Sequence, residues 1–120
     1  MTQAKTGDYT VTANECGVIF TNRGAAGTVI FTLPATAGIA TGWHCYIYVV
    51  ADQTVTITAP TADTLVVFND QGADTLSWAT AGQKVGSGAH VVWDGTGWLV
   101  MLFPASTSAA QTVATVTLVS

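Results

Sequence analysis

Apolar and polar residues alternate one by one along most of this chain, and Gly, Asn or Asp break the alternation about every eight to twelve positions. In Thr54-Val55-Thr56-Ile57-Thr58, valine and isoleucine share one face of a strand and threonine takes the other. Strands are predicted near Tyr9–Ala13, Val18–Asn22, Thr28–Leu33, Trp43–Ala51, Thr54–Ala59, Thr64–Phe68, Thr75–Ala79, Ala89–Trp93, Trp98–Phe103 and Thr112–Val119. Turns are expected from Asn22 to Gly27, at Asp52-Gln53 and from Asp94 to Gly97. No stretch of helical period is long enough for a helix. Pro34 to Gly42 reads as a loop or one short helical turn. Short strands joined by tight turns predict an all-β fold, a compact β-sandwich or small barrel-like domain of short antiparallel strands. That domain is expected over residues 1–104, with a linker and strand arm over 105–120.

Two segments break the alternation in an informative way. In HVVWDGTGWLV, residues 90–100, a symmetric hairpin sets Trp93 against Trp98, Val92 against Leu99 and Val91 against Val100. Val91, Trp93, Trp98 and Val100 then share one face, and His90, Val92, Leu99 and Met101 the other. Both faces are apolar, whereas a hairpin wetted on one side alternates apolar with polar. The hairpin is therefore expected to be covered twice, by its own core and by a second layer or another subunit. Trp43–Ala51 is likewise apolar on both faces and reads as a central strand or one at a subunit interface.

Composition sharpens this picture. Charged residues make up 8% of the 120 residues, against an apolar 49%, where about 25% charged is usual. Threonine, serine, glycine and alanine stand where a lone soluble domain carries charge. Such a surface suits a subunit covered in an assembly. The net charge is −4, and the three cations, Lys5, Arg23 and Lys84, are scattered. Nucleic-acid binding needs clustered Lys and Arg, so neither nucleic acid nor a membrane surface is an expected partner. No apolar run approaches the length of about 20 residues that a spanning helix needs. The opening MTQAKTGDYT has no apolar h-region, so no signal peptide is expected.

Candidate chemistry is sparse. His44 and His90 each sit inside an apolar strand and read as core or interface histidines; a metal site would need several copies brought to one axis. Cys16 and Cys45 read as two buried free thiols, with a single disulfide between them left open. The acidic run Asn69 to Asp74 lacks calcium-loop spacing and reads as a plain turn. Asp8, Asp52, Asp63 and Asp94 flank strands as turn caps. The glycines around Lys84 match no phosphate loop, and no acid, base or nucleophile pattern appears, so no catalytic residue and no cofactor is expected.

Several residues resemble a recurring module. Tyr9–Ala13, Phe20-Thr21-Asn22, Gly24 to Pro34 (GAAGTVIFTLP), Thr54–Ile57, Asp63-Thr64, and Asp94-Gly95-Thr96 followed by Trp98 are similar to a small β-module of tailed-bacteriophage virion proteins. That module occurs in capsid decoration or cement proteins, head fibres and tail-fibre segments, and the likeness covers about residues 8 to 103. The resemblance implies a homotrimer, the major capsid protein as partner, assembly in the bacterial cytoplasm and a place on the capsid exterior. The function expected is non-enzymatic capsid decoration, with a glycan-binding tail-fibre or head-fibre module as the alternative. Expected at a subunit or capsid interface are Trp43, Tyr46, Tyr48, Trp93, Trp98, Val113, Val116 and Leu118. Trp78, Trp93 and Trp98 are the expected glycan contacts in the alternative. The segment Thr112–Val119 is placed to pair with a neighbour's sheet edge, with the N-terminal MTQAKTGD as a second candidate arm.

Overall fold

The alternating runs fold as the period of two requires, each burying one face. A computed structural model of the chain describes residues 1–67, 69–79, 82, 84–103 and 117–119. Its strands are β1 (Thr2–Ala4), β2 (Tyr9–Thr10), β3 (Ile19–Thr21), β4 (Val29–Thr32), β5 (His44–Tyr48), β6 (Val55–Thr58), β7 (Leu65–Val67), β8 (Asp70–Ala73), β9 (Thr75–Trp78), β10 (Gly88–Trp93), β11 (Trp98–Phe103) and β12 (Thr117–Val119). They form a seven-stranded sheet in the order β1-β3-β5-β10-β11-β7-β8 and a five-stranded sheet in the order β12-β9-β6-β4-β2. The fold is all-β and sandwich-like, and its Cα radius of gyration of 13.5 Å suits one compact domain.

The strand pairing differs from the antiparallel expectation. β1, β3 and β5 run parallel in the large sheet, as do β2, β4 and β6 in the small one. The reason lies in the turns. A two-residue hairpin can join only antiparallel neighbours. The turns around Asn22–Gly27 and Asp52-Gln53 instead carry the chain across to the other sheet, so every second strand returns in the same direction beside its predecessor. Only later do local hairpins appear, at β7–β8 and β10–β11.

The core lies between the sheets. Phe20, Ile47, Val91 and Trp98 point inward from the large sheet, and Val29, Phe31, Ile57, Leu76 and Trp78 from the small one, all at most 1% exposed. Phe20 meets Phe31 at 5.7 Å between ring centroids. Buried Asn22 ties the end of β3 to the segment after β5: its Oδ1 accepts from the Val50 and Ala51 N–H groups at 2.8 and 2.9 Å, and its Nδ2 donates to the Ala51 carbonyl at 3.0 Å. Both of its polar atoms are engaged with that segment, which is what makes a buried amide tolerable.

The described residues of both candidate arms pair within their own chain, and residues 105–116 of the expected linker and arm lie outside the described residues. β1 lies parallel to β3, and β12 lies antiparallel to β9 with Leu118 opposite Leu76. Val113 and Val116 lie outside the described residues. The acidic run expected as a turn forms β8, paired to β7 through an irregular register. Its residues are too polar to signal a strand. Pro34 to Gly42 contains a single 3₁₀ turn at Thr36–Gly38, and another occupies Ala13–Glu15.

Candidate interaction surface

The β10–β11 hairpin has the register its sequence predicts: Trp93 pairs with Trp98, Val92 with Leu99 and Val91 with Val100. The turn is held by Asp94, whose Oδ1 accepts from the Thr96 and Gly97 N–H groups at 2.8 and 2.7 Å. Those two bonds, Gly97 first, hold its carboxyl below the usual aspartate range. Gly95 supplies the left-handed φ of +97° that the turn requires.

The inward and outward faces of this hairpin meet different fates. Inward, Trp98 is fully buried and packs against Trp93 at 5.2 Å and edge-on against Trp43 at 5.9 Å. The Trp43 indole N–H donates to the Ala13 carbonyl at 2.9 Å. Trp43, Trp78 and Trp98 are 6%, 1% and 0% exposed. This corrects the expectation that Trp43 and Trp98 belong to an interface, and that Trp78 and Trp98 contact a glycan: all three are packing residues of the chain's own core. Trp93 is half-buried beside them. The apolar neighbours of these tryptophans in the sequence already argued for burial.

Outward, the register aligns side chains in rows across the large sheet. One row is Thr2, Ile19, Tyr46, His90 and Met101. A second is Ala4, Thr21, Tyr48, Gly88 and Phe103. A third is His44, Val92, Leu99 and Val66. None of these residues is Asp, Glu, Lys or Arg. Ile19, Tyr48, Met101 and Phe103 are 36 to 45% exposed. Nothing else in the described residues lies over this face as a further layer of strand or helix; the second covering that the hairpin pattern demands is not supplied by those residues.

Gly88 sets the spacing of the face. A Cβ there would stand 2.6 Å from the Ile47 carbonyl oxygen, and the Tyr48 ring lies across the vacant position at 3.2 Å. Only glycine lets β10 approach β5 so closely.

At the centre of the face is a cluster of rings. His90 stacks on Tyr46 at 4.4 Å with an interplanar angle of 11°, and His44 meets His90 edge-on at 5.4 Å. Burial first, then the neighbouring His44, pushes the His90 imidazole below the usual histidine range. His90 Nε2 is buried without a hydrogen-bond partner. His44 Nδ1 lies 3.2 Å from the Gly42 carbonyl and 3.7 Å from Cys16 Sγ. Cys16 is exposed, contrary to its expected burial, whereas Cys45 faces the core and its thiol is pushed up to about 12 by burial. Both cysteines are free. Among the described residues, no three His, Cys, Asp or Glu side chains come together as a metal site.

The remaining polar groups serve the fold. A cleft of about 350 Å³ lies between Asp63, Gln71, Asp94 and Thr96, over Val66 and Leu99. Its carboxylate Asp94 is already engaged by the hairpin turn, and the Asp63 N–H donates to Asp74 Oδ1 at 2.7 Å. Lys84 is 6% exposed and paired with Asp52 at 3.1 Å. Glu15 is pulled upward by burial, but bonds from the Thr12 N–H and the Tyr9 and Thr12 hydroxyls outweigh that and hold it low.

The sequence reading placed Tyr46 and Tyr48 at an interface, and both stand on the outward face. It missed Ile19 and Phe103 there. The strand period that set His90, Val92, Leu99 and Met101 on the hairpin's second face was the available signal. The chain matches no protein-family model and no curated protein.

Proposed function

We propose that this protein is a non-enzymatic structural subunit of a tailed-phage virion, a capsid decoration protein that binds the outer capsid as a homotrimer and stabilises it. One observation carries the assembly part of this reading. The outward face of the seven-stranded sheet joins Ile19, Tyr46, Tyr48, His90, Met101 and Phe103 across adjacent strands without a formal charge from Asp, Glu, Lys or Arg. A continuous apolar sheet face is a contact surface for protein. The likeness of residues 8 to 103 to virion β-modules supplies the setting, with the major capsid protein as partner and the bacterial cytoplasm as the place of assembly. The work done is interfacial free energy rather than turnover: burial of apolar sheet surface stabilises by about 25 cal/mol per Å². The glycan-binding alternative loses its main carriers, because the Trp78 and Trp98 rings lie in the core.

Counting copies of the chain per purified virion, relative to the major capsid protein, tests the reading. Copy numbers comparable to the capsid protein are expected. A handful of copies per particle would move the protein to the tail or a vertex and overturn the decoration role.

A further inference from the structure

We infer that copies of this chain meet one another through the outward face of the seven-stranded sheet, packed about the His44–Tyr46–His90 ring cluster, and that protonating these histidines opens the contact. The inference rests on the reading of the protein as an assembly subunit, and adds the surface through which the copies meet and the condition on it.

Position and charge argue for a second copy as the occupant. β10 is the fourth of the seven strands, so His90 stands at the middle of the face. The chain carries a net charge of −4, and all its acidic residues lie off the outward rows. Two copies approaching by their acidic surfaces set like charges together. By this face they meet like charge only at its Val66–Leu99 end, where Asp63 and Asp94 border the rows. A strongly basic partner finds no carboxylate in these rows to pair with. What fits an uncharged apolar face is another uncharged apolar face, and this chain supplies one on every copy.

The histidines make that contact conditional. The groups facing His90 are Tyr46 and His44 from β5 and Met101 from β11. His44 is met in turn by Cys16 and the Gly42 carbonyl. Glu15, next to Cys16 in the chain, is engaged with Tyr9 and Thr12. No carboxylate in the rows therefore receives an imidazolium. A second copy laid over the cluster removes water from both rings, which disfavours their charged forms. As pH falls, the separated chains take up protons at the cluster before the associated ones do. Association is thus favoured at higher pH and lost as pH falls through the range in which the separated chains become protonated.

Sedimentation equilibrium of the full chain at about 10 μM, at about pH 7.5 and about pH 5, is the experiment. Wild type is expected to be oligomeric at the higher pH and at least about tenfold weaker in association at the lower. Met101→Lys places a charge at a 45% exposed position that the fold tolerates, and is expected to be monomeric at both. The double variant His44→Phe, His90→Phe keeps rings in place without a titrating group. It is expected to stay associated at the lower pH, with circular dichroism confirming that it is folded. A monomeric wild type at the higher pH, or a Met101→Lys protein that associates normally, overturns the contact. A folded double variant that dissociates in acid as wild type does overturns the histidine switch. A chain that is monomeric in solution yet abundant on capsids overturns this inference and the homotrimer, and leaves capsid decoration itself standing. An oligomer absent from virions does the reverse.

Discussion

The two sheets of this protein present opposite outer faces, although both are built from strands with the same alternation. Across the small sheet the outward rows are Ile30, Thr56, Ser77 and Thr117, and Thr10, Thr32, Thr58, Thr75 and Val119. Hydroxyls dominate, and Thr56 and Ser77 bond one another across the strands at 2.8 Å. Across the large sheet the corresponding rows hold isoleucine, tyrosine, histidine, methionine, leucine and phenylalanine. Threonine keeps the β-branched shape that suits a strand and also bonds water. Leucine, methionine and phenylalanine suit the strand equally well and leave their exposed surface unsolvated. Neither face uses charge, so charge does not separate them. The two outer faces differ in how far hydroxyls, rather than large apolar side chains, fill their rows.

The largest expected effect breaks both faces at once, by removing the core they share. Trp98→Ala deletes a fully buried ring that touches Trp43 and Trp93, and urea unfolding should register a loss of about 3–5 kcal/mol. A loss below about 1 kcal/mol would mean that Trp98 is not a core residue and would return it to the surface. Next comes a change confined to the apolar face. Gly88→Ala forces a Cβ against the Ile47 carbonyl at 2.6 Å, parting β5 from β10 at an expected loss of about 1–3 kcal/mol. An unchanged unfolding midpoint would show that the two strands have room to spare. The smallest effect sharpens the comparison. Thr58→Lys and Met101→Lys, each on an outward position of its sheet, should both leave the monomer's stability within about 0.5 kcal/mol of wild type. Only Met101→Lys should change how the chain associates. Equal behaviour of the two in association would erase the distinction between the faces.

Much of the fold was legible in the local pattern. The β10–β11 hairpin was readable to the residue, because Asp94 and Gly95 at a turn between apolar runs specify one register. β4, β6 and β9 were readable from their alternation. β8 was not, since Asp70-Gln71-Gly72-Ala73 has no strand propensity and is held by its pairing with β7. The parallel winding of β1 to β6 was not, because an inward valine looks the same whether its neighbour runs up or down. The candidate face was half legible. Alternation put His90, Leu99 and Met101 together within one hairpin, but nothing local says that Ile19 and Tyr46 continue their row from β3 and β5.

The amino-acid order alone thus determined that the chain is all-β, that its hairpin is apolar on both sides, and that it carries unusually little charge. These are properties of single strands and of composition, set by the period of two and by which side chains seek water. Which tryptophans are core, which way each strand runs and which outward residues form one surface were decided by how the strands pair. Pairing is a long-range choice, made by the burial of both sheets together, and a single strand's sequence carries only half of each pair.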